Sequence, residues 1–265
     1  MNLQVIRGTA TGIIQQAGAE VMLYYDQPHT ETTKSSMFDI VTEGDKASER
    51  LIVAALCEAF PDHHIVGEEG GGMGAPAEEA EYFWYIDPID GTSNFANNIP
   101  FFSISMALAD KNLNPLVGVV LNPVSHEIFS AVAGQGVTRN GLPIRVSDTE
   151  SLSQAILCSG FPYDTATQKR INVDAFMAFL PQTRGVRRIG SAALELSYVA
   201  CGRLDGFWEC RLNPWDCMAG ILLVREAGGK VTDYQGGEAG LTGAELIASN
   251  GLLHEAMRTV ITANP

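Results

Sequence analysis

The sequence predicts one compact body with an α+β first half and an α/β second half. Three features of the chain carry this: two amphipathic helical patterns at the start, a run of strand-like segments between turn residues, and a regular alternation of strand and helix beyond residue 143. With 265 residues, 46% of them hydrophobic, there is enough apolar material for a substantial core.

The spacing of Val5, Ile13, Ile14, Ala17, Val21 and Leu23 predicts a long opening helix that ends before Pro28. After a polar loop, "DKASERLIVAALCEAF" predicts a second helix. Its apolar face is Leu51, Ile52, Ala55 and Leu56, its N-cap Asp45 and its stop Pro61. "HIVGEEGGGMGAP" reads as a short strand running into a glycine-rich loop, and "EYFWYID" as a buried strand ended by Pro88. "FFSISMALA", "PLVGVVLNP" and "EIFSAVAG" then have the spacing of an antiparallel meander. A boundary near Pro143 separates residues 1–142 from residues 143–265, with no long linker between them. In the second part, "AILCSG", "DGFWEC", "KVTDY" and "ELIASN" read as strands. "NVDAFMAFL", "SAALELSYVACG", "DCMAGILLVREAGG" and "GLLHEAMRTVI" read as helices, and "TRGVRRIG" as a basic turn.

Seventeen Lys and Arg against thirty-one Asp and Glu give a net charge of −14, which repels polyanions and argues against nucleic-acid binding. No basic head with an apolar stretch opens the chain, and no segment has the length of a membrane span, so a soluble cytoplasmic protein is expected. Cys57, Cys158, Cys201, Cys210 and Cys217 are scattered without a CxxC pair, and are expected to be reduced thiols.

Carboxylates gather at four element boundaries: "DIVTEGD" (Asp39, Asp45), "VGEEG" (Glu68, Glu69), "DPIDGT" (Asp87, Asp90) and "NPWDCMAG" (Asp216). Each has an ordinary reading of its own. Asp-Gly marks a hairpin turn, Glu-Glu a solvated loop, and Asp216 a helix cap. Brought together they would repel, since two carboxylates about 5 Å apart cost on the order of 3 kcal/mol at an effective dielectric near 20. Convergence therefore demands cations. Hard oxygen donors without His or Cys select Mg²⁺, with Mn²⁺ as a substitute. An EF-hand does not fit, because Pro88 and Ile89 break the acidic alternation and position twelve of the run is Asn98. Gly91 allows close backbone approach, and Thr92 with Ser93 can open a short helix whose amides face an anion. Acids for metal beside amides for phosphate is what a metal-assisted phosphatase requires.

"DPIDGTSNF" and "PWDCMAGILLVREAGG" resemble the two signatures of the inositol monophosphatase family, of the magnesium-dependent, lithium-sensitive sugar-phosphatase superfamily. "KSSMFDIVTEGD", "VGEEGG" and "RRIGSAALELSYVACGRLDGFWE" match the intervening blocks in order. The resemblance runs from about residue 5 to residue 258 and implies a layered α-β-α-β-α sandwich. It implies a first Mg²⁺ on Glu68, Asp87 and the Ile89 carbonyl, a second on Asp87, Asp90 and Asp216, and a weaker third near Glu68. Thr92 would orient the attacking water with Asp45 behind it, while the amides of Gly91 and Thr92 receive the phosphate. Asp90, Gly190, Ser191, Ala192 and Glu209 would meet the alcohol of a small phosphorylated polyol. Residues 1–142 would thus supply most metal ligands and the phosphate-binding helix start, and residues 143–265 Asp216 and substrate recognition. The family also implies a homodimer.

Other readings stand beside these. From the residues alone, Glu209 is equally a strand-end surface acid on the face of Phe207, and Asp45 only a cap. Arg184, Arg187 and Arg188 form either a solvated turn or a contact for a second phosphate or partner subunit. His63 and His64 point opposite ways in a strand and read as structural, and Lys34 is either solvated or near the third ion. Myo-inositol 1-phosphate is the expected substrate. Fructose 1,6-bisphosphate, histidinol phosphate and 3′-phosphoadenosine 5′-phosphate are the alternatives, and a non-catalytic cation-binding scaffold is a third reading.

Overall fold

A computed structural model describes residues 1–27, 32–33, 40–162, 172–239 and 244–264. Lys34 and Asp39, singled out above, lie outside the described residues. In chain order the first part contains α1 (Leu3–Tyr24), β1 (Thr32–Thr33), β2 (Ile40–Val41), α2 (Glu43–Ala59), β3 (His64–Gly67), β4 (Gly71–Gly74), β5 (Tyr82–Asp90) and α3 (Thr92–Ala96). There follow β6 (Ser103–Asp110), β7 (Pro115–Asn122), β8 (Glu127–Val132), β9 (Val137–Arg139) and β10 (Leu142–Pro143). The remainder is β11 (Ile156–Ser159), α4 (Val173–Phe179), β12 (Gly185–Arg187), α5 (Ala192–Ala200), β13 (Gly206–Leu212), α6 (Pro214–Glu226), β14 (Lys230–Thr232), β15 (Ala244–Ser249) and α7 (His254–Ala263).

Two large sheets organise these elements. An eight-stranded sheet in the order β10-β9-β8-β7-β6-β5-β3-β4 is antiparallel except where β3 meets β5. A five-stranded sheet runs β12-β11-β13-β15-β14, with β11 parallel to both its neighbours. Helices α1 and α2 cover one face of the large sheet, α5 and α6 fill the space between the sheets, and α4 and α7 pack together on the outside of the small one. The order of layers is therefore α-β-α-β-α.

Each layer boundary is an apolar core. Ile6, Ala10, Ile13, Ile14, Ala17 and Val21 of α1 meet Trp84, Ile86, Met106 and Val119 of the sheet. The stripe follows helical periodicity but excludes two residues assigned to it from sequence: Val5 and Leu23 face solvent at 62% and 69% exposure. Between the sheets, α6 is buried from Cys217 to Val224, which explains its near-continuous apolar sequence. Trp208, Phe179, Tyr234 and Met257 fill the outer layer. Each large apolar side chain buried in this way contributes about 1.5–3 kcal/mol.

Several local expectations are corrected. Asp45 is not the N-cap of α2. Thr42 is, and Asp45 occupies the third helical position, its Oδ2 accepting the Thr42 amide proton at 2.8 Å. The glycine-rich loop supplies a strand, since β4 returns antiparallel on β3. Strand β5 passes Pro88 and ends at Asp90. The basic turn contains β12, an edge strand parallel to β11. His63 accepts a hydrogen bond from Trp84 Nε1 at 3.1 Å, and His64 Nδ1 lies 2.7 Å from the Ala75 carbonyl, so both serve the fold. All five cysteines are free thiols. Among the described residues no helix is long and apolar enough to cross a membrane.

Candidate active site

A bulge in β5 sets the site. Asp87 pairs with Ser105 and Asp90 with Ser103, so three steps along β5 answer to two along β6. In a regular strand residues three apart face opposite sides; the extra residue turns both aspartates toward one cavity. Pro88 is tolerated because a bulge frees its position from the ladder, and the Ile89 amide donates to Asp87 Oδ1 at 3.0 Å. The Ile89 side chain anchors this corner in the α1–α2 core. Directly after it, Gly91 takes a left-handed φ of 98° and starts α3. A Cβ there would stand 2.7 Å from the Gly190 carbonyl, so the close approach of the two segments requires glycine.

Two further acids arrive at helix starts. Asp45 is fully buried: Oδ2 accepts from the Thr42 amide and hydroxyl, the latter at 2.6 Å, and Oδ1 accepts the Thr92 hydroxyl at 3.1 Å. The Ile89 carbonyl lies 3.0 Å from the same hydroxyl. Asp216 repeats the arrangement on α6, where it follows Pro214 and accepts the Asn213 amide at 2.7 Å. It is the third residue of that helix; Asn213 is the cap. The positive end of each helix dipole faces its carboxylate. Glu68 follows β3 and stands close enough to Asp87 to raise its carboxyl.

The second half closes around Asp90. The Ser191 hydroxyl and Ala193 amide donate to Asp90 Oδ2, each at 2.7 Å, and the Ala192 amide donates to Oδ1 at 3.2 Å. Ser103, a polar residue on a small-residue face of β6, donates to Asp90 Oδ2 at 3.4 Å and lies 3.0 Å from the Ser191 hydroxyl. Glu209 lies on the face of β13 opposite Trp208 and Cys210, as alternation predicts, but it is 9% exposed and lines the cavity. The surface-acid reading of Glu209 is thereby excluded.

The cavity measures about 450 Å³, within the range of small-molecule sites. Glu68, Asp87, Ile89, Asp90, Gly91, Thr92, Gly190, Ser191, Ala192, Glu209 and Asp216 all line it, and Asp45 stands behind Thr92. Arg188, Glu195 and the apolar Phe161 and Leu212 are also among the lining residues; Arg184 and Arg187 are not. Sequence reading missed Phe161, Ser103 and Glu195. The last two carry a usable signal, a polar residue within an otherwise apolar strand or helix face.

Burial raises the Asp87 carboxyl well above its ordinary range, and the charges of Glu68, Asp90 and Asp216 add to the rise. Asp216 is raised by burial and by Glu68, and Asp90 is pushed up to about 6 by burial against the pull of the Ser191, Ala193 and Ala192 donors. Glu209 rises through burial and the neighbouring Glu195, with Arg188 opposing. Among the described residues no three metal-binding side chains already close into a ligand cage; the acids surround a space instead. Carboxylates and one carbonyl, mutually destabilised until a cation arrives, fit a hard divalent ion.

A layered sandwich with an acid-lined cavity is an arrangement suited to a phosphatase. The chain belongs to the inositol monophosphatase family, whose model matches residues 2–264, and it is a phosphoric monoester hydrolase. Members of this family are generally metal-dependent. An inositol-1-monophosphatase from Synechocystis is 40% identical over 264 residues, covering 100% of this chain and 91% of its own. The protein named Nus factor SuhB from Pseudomonas aeruginosa is 45% identical over 225 residues, 84% of this chain and 83% of its own. The solved structure of an inositol monophosphatase from Anabaena superposes with a TM-score of 0.90 at 41% identity, covering 100% of this chain and 98% of that one.

Proposed function

We propose that the protein hydrolyses myo-inositol 1-phosphate to inositol and phosphate with Mg²⁺ as cofactor. The observation that carries this is the placement of Glu68, Asp87, Asp90 and Asp216 around one cavity with Thr92 and the start of α3. Glu68, Asp87 and the Ile89 carbonyl would hold one ion, Asp87, Asp90 and Asp216 a second, and Glu68 would border a weaker third. Mn²⁺ would substitute. A divalent ion held by these residues would supply a lowered pKa for bound water and neutralisation of the leaving alkoxide.

The chain's own groups do the rest. Asp45 Oδ1 and the Ile89 carbonyl hold the Thr92 hydroxyl, leaving its lone pairs to accept a hydrogen bond from the attacking water. Asp45 is held in turn by Thr42, so the hydroxyl is aimed before substrate arrives. The amides of Gly91 and Thr92 receive the phosphate. Glu209 accepts the polyol hydroxyls, and Gly190, Ser191 and Ala192 act beside it, partly through Asp90. Residues 1–142 thus supply most of the metal site, and residues 143–265 supply Asp216 and recognition. The reading includes a cytoplasmic homodimer, sensitive to lithium, that acts on small molecules and not on nucleic acid, in keeping with a net charge of −14.

Arg188 at the cavity wall favours a second reading, a substrate with a second phosphate such as fructose 1,6-bisphosphate or 3′-phosphoadenosine 5′-phosphate. A kinetic panel of these with inositol 1-phosphate and histidinol phosphate, with Mg²⁺ and after EDTA, tests both. The expected result is the highest kcat/KM for inositol 1-phosphate and loss of all turnover in chelator. Full turnover after exhaustive chelation would overturn the metal-dependent reading, and a preference for a bisphosphate would replace the substrate.

A further inference from the structure

Between β12 and α5 the chain makes a turn at Ile189 and Gly190 that is gripped from both sides. Glu195, one turn into α5 and 1% exposed, points its carboxylate back at this turn. Its Oε1 accepts the Ile189 and Gly190 amide protons, both at 2.9 Å. From the opposite side the Asn94 amide nitrogen, on α3, donates to the Ile189 carbonyl at 2.8 Å and to the Phe101 carbonyl at 2.7 Å. The peptide between them therefore has its donors and its acceptor fixed by two side chains 101 positions apart in sequence (195 − 94).

What this turn carries gives the clamp its importance. The next three residues, Ser191, Ala192 and Ala193, are those that hold both oxygens of Asp90. Gly190 also abuts Gly91, the residue that opens α3. A displacement at Ile189 would thus move the donors of Asp90 and the partner surface of α3 together. A buried carboxylate is costly to keep, and although Glu195 borders the cavity, its Oε1 is committed to the two backbone amides of the turn, which gives it a reason to be there.

We propose that Glu195 is a positioning residue of this enzyme, holding the Ile189–Gly190 turn against Asn94 so that Ser191, Ala192 and Ala193 fix Asp90. This rests on the phosphatase reading above, in which Asp90 serves the metal site and the substrate. Glu195 acts through the turn and not on substrate, so its loss damages every phosphate ester alike. Loss of Glu209, by contrast, is confined to recognition of the alcohol.

Glu195→Ala, Glu195→Gln and Asn94→Ala test it by two measurements: amide hydrogen exchange of residues 189–193 in metal-free protein, and kcat/KM on inositol 1-phosphate and an aryl phosphate. Glu195→Ala is expected to speed exchange at Ile189 and Gly190 and to lower kcat/KM roughly 10- to 100-fold on both substrates, the range expected of a small misplacement. Glu195→Gln restores both readouts to within about threefold, because the amide oxygen can accept the same two protons. Asn94→Ala moves both readouts in the direction of Glu195→Ala, and the double variant loses less than the two single losses combined. If Glu195→Ala does not fold, Asn94→Ala decides alone. A folded Glu195→Ala or Asn94→Ala variant with wild-type exchange and kcat/KM within about twofold overturns the proposal, and so does a Gln variant as impaired as Ala. Exchange is read without metal or substrate, so an inactive wild-type enzyme would sink the phosphatase reading while leaving the clamp itself measurable.

Discussion

Gly160 and Glu209 share a space that admits only one of two things: a carboxylate or a side chain at position 160. A Cβ built on Gly160 overlaps all three carboxylate atoms of Glu209, so the bare backbone of the loop after β11 is what lets Glu209 lie along the cavity wall. Gly160→Ala is therefore expected to push Glu209 aside and to copy the phenotype of Glu209→Gln. Both variants should lower the kcat/KM ratio of inositol 1-phosphate to a simple aryl phosphate by about tenfold, the worth of a charged hydrogen bond reduced to a neutral one. Equal losses on the two substrates would assign Glu209 to support of the metal site instead.

Asp90 offers a sharper test of the acid cluster. Its two oxygens accept from Ser191, Ala192 and Ala193, and asparagine would turn one acceptor into a donor facing an N–H or O–H. With a ligand charge also lost, Asp90→Asn should cost turnover about 100-fold or more while the protein still melts cooperatively. Wild-type turnover would reduce Asp90 to a turn residue. Steady-state kinetics beside a thermal melt separates the outcomes.

The raised carboxyls fix the sign of a pH effect. Asp90 is pushed from 3.8 up to about 6, and Glu195 from 4.5 up to about 7, both chiefly by burial. The native state then holds protons that the unfolded chain has released, so stability conferred below the unfolded values is lost as pH rises to about 7. The metal-free protein should melt at progressively lower temperature as pH rises from about 4.5 to 7. Saturating Mg²⁺ should flatten the part of that slope due to Asp90, because the cation would replace its proton, and leave the part due to Glu195. A melting temperature of the metal-free protein that rises over this interval would contradict the burial of these groups.

Lithium should inhibit at millimolar order. A monovalent ion that takes the place of the second divalent one beside Asp90 and Asp216 would leave product phosphate trapped. A titration of activity with LiCl at fixed Mg²⁺, with KCl matched for ionic strength, measures it. A flat response would remove lithium sensitivity from the proposal and leave the acid assignments standing.

Much of this architecture was legible in the sequence. Strand alternation and helical spacing outline the two sheets and the helices, and the acids stand at element boundaries, where loops converge. The differences have separate physical causes. Periodicity locates an element but not its phase to the residue, so spacing alone puts Val5 and Leu23 in a stripe that in fact runs through Ile6, Ala10, Ile13 and Val21. Pro88 reads as a stop, because a bulge that excuses it from the ladder leaves no local mark in composition. Asp45 resembles a cap by residue type, whereas "TEGD" spells Thr42 at the cap and an acid three residues on. Glu195 was illegible as a clamp because its partners, the Ile189 and Gly190 amides, are backbone groups that no residue pattern encodes.

The bulge between Asp87 and Asp90 leaves a constraint that concerns number more than kind. Phase, in that segment, is set by counting: an odd residue has been inserted once, and the aspartates agree in direction only because of it. Many side chains could replace Ile89 as a hydrophobic anchor at moderate loss, yet deleting one residue or adding another would reverse one aspartate and leave a buried acid facing the apolar layer of α1 and α2. A lineage carrying this site can therefore drift in spelling along Asp87 to Asp90 but not in length. Chains in which that interval differs by one have changed the direction of a carboxylate, whatever else they keep.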